Sequence, residues 1–244
     1  MIREELEGIW HIILKDLRAY YFKPPNISWG ILFPLVLALA FTLRKPSGLS
    51  DLAPGLVAMA ALFGTTSMEA IVITFEKRVG ALERLMLAPI SLEAILIGKI
   101  LGGSIFGLMI SSVMTVISVV FLGVSVKYPF LFAVSLLLTV LTLSALGSLV
   151  AVSVKEVFEA QTLSNYFRFP MIFLCGVFIP VESMPMPLQW LAYALPLTYS
   201  VNALRQTFTG SLQYADLAFN LAALTIFLLI FIAAAARLLR KYLE

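Results

Sequence analysis

Residues 94–122, AILIGKILGGSIFGLMISSVMTVISVVFL, carry the architecture of this chain. The stretch has one charge, Lys99, and no proline. A helix needs about 20 apolar residues to cross the hydrocarbon of a bilayer. The run therefore reads as a membrane span whose buried part begins after Lys99. On either side of it, five further apolar segments lie at 27–43, 52–75, 130–154, 166–180 and 215–236. Segment 166–180 is short and needs help from the residues after it. Pro46-Ser47-Gly48, Pro89, Gly123 and Pro129 break the chain between segments. The pattern predicts an all-α integral membrane protein of six transmembrane helices, a single domain over 1–244.

Composition agrees. Of 244 residues, 61% are hydrophobic and 13% charged, against about 25% charged in soluble domains. Mean hydropathy is +0.99. These values exclude a soluble enzyme and a disordered chain. The single cysteine, Cys175, allows no internal disulfide, and the single histidine, His11, excludes His-cluster metal sites and a Ser-His dyad in the membrane.

Residues 1–22 precede the first span. Ile2, Leu6, Ile9, Ile13, Leu17 and Tyr20 recur every three or four positions, with Arg3, Glu4, Glu7, His11, Lys15 and Arg18 on the other face. That is an amphipathic interfacial helix, read either as a partner contact or as a surface anchor. Glu4, Glu5 and Glu7 stand where a signal peptide would be basic. Placing the N-terminus inside puts 13 Lys and Arg on the inner side and 4 outside: Arg44, Lys45, Lys127 and Arg205. Both termini are therefore expected in the cytoplasm of a multi-pass cell-membrane protein.

Segment 181–214 is apolar but divided by prolines. Pro180, Pro185, Pro187 and Pro196 leave room for two short helices, about 188–195 and 197–209. Trp190, Tyr193 and Tyr199 favour the membrane–water interface. A re-entrant hairpin over 181–209 on the outer side fits, with a compact external loop as the other reading.

Residues 76–91 read Glu-Lys-Arg-Val-Gly-Ala-Leu-Glu-Arg-Leu-Met-Leu-Ala-Pro-Ile-Ser. They predict a charged cytoplasmic helix that ends at Pro89, with Ser91 able to cap the next helix. Such a helix can dock on a soluble partner or be a solvated connection. The stretch resembles the ABC transporter type-2 permease family, in which a Glu-x-x-x-Gly-x-x-Glu-Arg-Leu-x-x-x-Pro-x-Ser pattern follows the second span. Gly176-Val177-Phe178-Ile179-Pro180-Val181-Glu182-Ser183-Met184-Pro185, continuing through Trp190 to Leu195-Pro196-Leu197-Thr198-Tyr199 and Asn202-Ala203-Leu204-Arg205, is similar to the family's signature between spans five and six.

The resemblance implies a membrane subunit of an ATP-binding-cassette exporter of the drug, lipid or polysaccharide type. Two cytoplasmic ATPase subunits and a second permease copy, identical or related, would complete it. Coupling would fall to Glu76, Lys77, Arg78, Gly80, Leu82, Glu83, Arg84, Leu85 and Pro89, and the outer gate to Pro180, Glu182, Pro185, Trp190, Pro196 and Tyr199. The pathway and dimer seam would lie among the first, second and fifth spans.

The chain lacks a phosphate loop: its only Gly-Lys pair, Gly98-Lys99, is followed by Ile100. It is expected to bind no cofactor, with ATP and Mg²⁺ on the partner ATPase, and to meet lipid but no nucleic acid. An ion-coupled secondary transporter would need more intramembrane acids and usually a repeat. An intramembrane enzyme would need a His dyad, HExxH or paired Asp residues.

Glu69 is the one acid well inside an apolar segment, which makes it a pathway candidate. Protonation or pairing with a base near the inner surface is the other reading. Phe63, Met68 and Phe173 line a path or serve packing. Arg168 is expected to begin the fifth span and snorkel to the surface. Gly98, Gly102, Gly103 and Gly107, with Ser144, Gly147, Ser148 and Ala151, predict close helix crossing within the subunit.

Overall fold

A computed structural model describes residues 2–44 and 49–243 of the chain; the Pro46-Ser47-Gly48 breaker and Lys45 lie outside these. Among the described residues there are helices and loops and no strand. The helices are α1 (Ile2–Asp16), α2 (Pro24–Arg44), α3 (Leu49–Leu62), α4 (Met68–Arg78), α5 (Ala81–Met86), α6 (Leu92–Leu122), α7 (Pro129–Ser153), α8 (Val157–Leu174), α9 (Met186–Tyr193), α10 (Pro196–Thr209) and α11 (Tyr214–Leu243).

Local signals set most boundaries. The Ser91 hydroxyl accepts from Ala94 N at 3.2 Å and caps α6, which stops at Gly123 in the left-handed region (φ 66°). Pro129 and Pro196 stand in the first turns of α7 and α10. There a missing N–H costs nothing. A Glu156–Glu159 capping box opens α8.

Among the described residues, four helices are long and apolar enough to cross a membrane: Asp51–Arg78, Leu92–Leu122, Pro129–Ser153 and Tyr214–Lys241. They correspond to predicted segments two, three, four and six. The first of them is composite, because a π-helical turn at Phe63–Ser67 joins α3 to α4. This rod is the centre of the molecule. Ala53 and Leu56 through Leu62 are fully buried, and the rod packs on α6, α7 and α10. By contrast, α6 and α11 turn Val120, Phe121, Phe219 and Leu229 outward, the arrangement that hydrocarbon stabilises and water does not.

Small residues set the crossings. A Cβ on Gly147 would fall 2.8 Å from Thr66 O. One on Gly103 would overlap the Glu69 carboxylate, and one on Gly98 would lie 3.2 Å from Ile12. The glycine and serine stripes thus bring α1, the composite rod, α6 and α7 together inside one chain, as predicted.

The two ends of the bundle differ. At one end Lys77 Nζ donates to Ala151 O and Val154 O at 3.3 and 2.8 Å, Arg78 pairs with Glu156 at 3.8 Å, and Arg240 pairs with Glu93. At the other, Lys127 N and Tyr128 N donate to Thr207 O at 3.0 and 3.3 Å, and Arg205 donates to Gly176 O at 2.7 Å. There α10 packs against α3, α7 and α11, burying Leu197, Val201, Leu204 and Phe208.

Three expectations are corrected. Residues 76–91 are not one exposed helix. Glu76–Arg78 form the last turn of α4, Gly80 takes a left-handed conformation (φ 66°), and a separate six-residue α5 comes next. The fifth segment is displaced: α8 runs from Val157 to Leu174, and residues 175–180 are not helical. Arg168 therefore sits eleven residues into its helix, about 16 Å along it, and is buried. Last, the buried face of α1 is turned toward Ile12, Ile13, Asp16 and Leu17, leaving Leu6 exposed; the buried salt bridges of Asp16 fix that orientation.

Candidate functional site

Two features stand out, both built on the composite rod. The first is an ion cluster where the interfacial helix meets the spans. Lys99 of α6 donates to Asp16 at 3.0 and 2.8 Å and pairs with Glu76 of α4. Lys15 pairs with Glu76 at 2.6 Å and Asp16 at 3.2 Å. Two cations and two carboxylates balance, which is what a buried charge requires. Burial holds the Asp16 carboxyl above its ordinary range against the pull of Lys99.

One turn farther in, the Tyr21 hydroxyl and Ser148 Oγ (3.1 Å) both donate to the fully buried Glu69. Burial pushes the Tyr21 phenol well above its ordinary value, with the Glu69 charge adding to it, so the hydroxyl keeps its proton to donate. Tyr21 ends a second π-helical turn, Leu17–Tyr21, and its ring stacks on Phe106 at 5.3 Å. A π turn stands at each side of this hydrogen bond, a position such turns often take at functional sites.

The second feature is a cavity of about 510 Å³ between α2, the composite rod and α8, lined by Phe33, Phe63, Ser67, Met68, Gln161 and Arg168 among others. The Arg168 guanidinium lies over the Phe63 ring at 4.7 Å, and Phe33 packs on Phe63 with centroids 4.4 Å apart.

The predicted site residues divide accordingly. Phe63 and Met68 border the cavity. Glu69 is turned from it toward Tyr21 and Ser148, and Phe173 is 57% exposed on the outer face of α8. Of the coupling set, Glu76, Lys77 and Leu82 are buried, Gly80, Glu83 and Leu85 are partly buried, and Arg78, Arg84 and Pro89 are exposed, beside Leu87 at 86% exposure. In segment 181–209 and the proline before it, Pro180, Glu182, Pro185 and Trp190 are exposed, Pro196 is buried at the start of α10, and the Tyr199 hydroxyl donates to Tyr193 O at 2.8 Å.

Sequence reasoning missed Asp16, Tyr21, Lys99 and Arg168 as site residues. Asp16 and Tyr21 carried one usable signal: both fall on the apolar side of the α1 helical pattern, where a polar group demands a partner.

Long apolar helices with outward hydrocarbon faces, gathered around a buried ion cluster, define a multi-pass membrane protein. Residues 7–209 match the profile described as ABC-2 type transporter. The chain belongs to that family. It is similar to the inner membrane transport permease YadH of Escherichia coli strain K12, 27% identical over 157 residues, 64% of this chain and 61% of that protein. It is similar to the probable multidrug ABC transporter permease YbhS of the same strain, 26% identical over 208 residues, 83% of this chain and 53% of that protein. ABC transporter G family member 20 of Dictyostelium discoideum is 30% identical over 193 residues, 76% of this chain and 26% of that protein. The chain thus spans 61% of the first relative's length and 53% of the second's.

Proposed function

We propose that the chain is the permease half of an ABC exporter, moving an amphipathic substrate out of the cytoplasm by alternating access. ATP and Mg²⁺ are held by a separate ATPase present in two copies, and a second permease copy, identical or related, completes the pathway. Six helices span the membrane in this reading. To the four long apolar helices it adds α2, whose 21 residues reach about 32 Å, and α8 with the segment after it. Both termini are cytoplasmic, following the Lys and Arg bias, and α9–α10 re-enter the outer leaflet as a gate.

The observation that carries the reading is the cluster of Asp16, Lys99, Glu76 and Lys15. It ties the interfacial helix to two spans beside α5, so a displacement at α5 is passed to the spans through groups that resist separation. The exposed Leu87, Arg84 and Pro89 give an ATPase something to grip. The names of YadH and YbhS, a transport permease and a probable multidrug permease, support the assignment.

The test is co-purification with a cytoplasmic ABC ATPase subunit expressed together with the chain. Gly80→Trp and Glu83→Arg are expected to release the ATPase or abolish substrate-stimulated hydrolysis. A complex that stays intact and coupled in both variants refutes the coupling role.

A further inference from the structure

We infer that the cavity between α2, the composite rod and α8 binds the anionic head of an amphiphile, a carboxylate or a phosphate, through Arg168. This rests on the export reading and narrows it to a substrate class.

Arg168 is 3% exposed and has no ion pair among the described residues. Its Nη2 donates only to the neutral Asn165 amide, and its Nε, fully buried, has no hydrogen-bond partner. Buried guanidinium groups are otherwise paired with carboxylate or phosphate, whose geometry matches their fork of donors. The nearest acid along the rod does not serve, because Glu69 accepts from Tyr21 and Ser148 on the other side. The contrast with Lys99 is direct: that equally buried cation holds two carboxylates.

Ser67 and Gln161 border the same space, and Ser67 Oγ and Gln161 Oε1 also have no hydrogen-bond partner among the described residues. The guanidinium N–H and the serine hydroxyl are donors, which is what an absent anion would accept from. Its volume, about 510 Å³, lies within the range of small-molecule sites, roughly 300–1,000 Å³. Phe33, Phe63 and Met68 supply an apolar wall for the first part of an alkyl chain. A buried cation set directly against aromatic rings selects an anionic amphiphile over a cationic or neutral one.

The experiment uses the full chain in phosphatidylcholine nanodiscs and the displacement of dansyl-undecanoate. Laurate and dodecyl phosphate are expected to displace it about tenfold or more better than dodecyltrimethylammonium, as a hydrogen bond to a charged group implies. Arg168→Gln loses that preference; Arg168→Lys keeps part of it. Asn165→Asp places a carboxylate against the guanidinium at nearly unchanged volume, so it is expected to raise the melting temperature and abolish the preference. That second variant guards against a simple folding defect in Arg168→Gln.

Displacement by phosphatidylglycerol added to the nanodisc assigns the site to a bilayer lipid; resistance to it assigns the site to a single-chain amphiphile. No anion preference in the wild type, or a preference that survives Arg168→Gln, overturns the inference. A carboxylate from a second copy would also show as no preference in the assembled protein. If Arg168-dependent binding persists while no ATPase couples to the chain, the export reading fails and the site stands. Coupled ATPase without the preference is the converse.

Discussion

At the scale of single residues, two interior cations of the chain stand in opposite situations. Lys99 pairs with Asp16 and Glu76, and Arg168 has no ion pair among the described residues. The first arrangement specifies position more than it adds stability, since a buried ion pair roughly offsets its own desolvation. Removing one member is another matter. Lys99→Met is expected to cost about 3–5 kcal/mol, because it leaves the half-exposed Lys15 alone against two buried carboxylates. Replacing the set together, as Asp16→Asn with Glu76→Gln and Lys99→Met, is expected to recover most of that loss. Thermal unfolding in detergent, followed by circular dichroism, compares the two; equal stability of the single and triple variants would refute the account. None of these pairings is legible in the sequence. Lys99 and Asp16 are 83 positions apart, and a lone lysine in an apolar run reads as the edge of a span because hydropathy scores a charge without its partner.

At the scale of elements, the sequence is most informative where one physical rule acts alone. Apolar length locates α6, α7 and the start of α11 to within two residues, while the basic end of α11 runs seven residues beyond the apolar segment, and proline places the start of α10. It is least informative where two rules compete. In α8, Gln161, Asn165 and Arg168 lower the hydropathy of a helix that nevertheless continues, so apolarity alone places its start nine residues late. In 76–91 the helical spacing of Glu76, Gly80 and Glu83 suggests one helix, yet Gly80 adopts φ 66° and resets the direction of α5. An L side chain there is strained by about 1–2 kcal/mol. Gly80→Ala is therefore expected to lower stability by that amount and to weaken ATPase coupling more than Ala81→Ser, measured as melting temperature and stimulated hydrolysis. An unchanged melting temperature would show that the turn relaxes without cost.

At the scale of the whole molecule, the 13% of charged residues marks two distinct ends rather than a uniform coat. One end holds the ion cluster, the Lys77 bonds and the Arg240–Glu93 pair; the other holds α9 and α10 with few charges. The proposed orientation rests on that asymmetry, and it has a direct check. Ser183 is exposed in the short helical turn Val181–Ser183, and the native Cys175 is buried. In Ser183→Cys, an impermeant maleimide is expected to react from outside intact cells and not from the inner face of inverted vesicles. Reaction from the inner face would invert the topology.

The bonds from Lys77 to the last carbonyls of α7 have a mechanical meaning. They weld the end of α4 to the end of α7, and Lys99 welds α4 to α6 through Glu76. A push on α5 therefore acts on three helices as one stiff lever. Near the same end, α8 is joined to α4 by the exposed Arg78–Glu156 pair, a surface contact worth about 0–1 kcal/mol. What ties α8 to this lever is therefore the buried contact of Ala160 with Ala70 of α4 and Val150 of α7, not the ion pair at the surface.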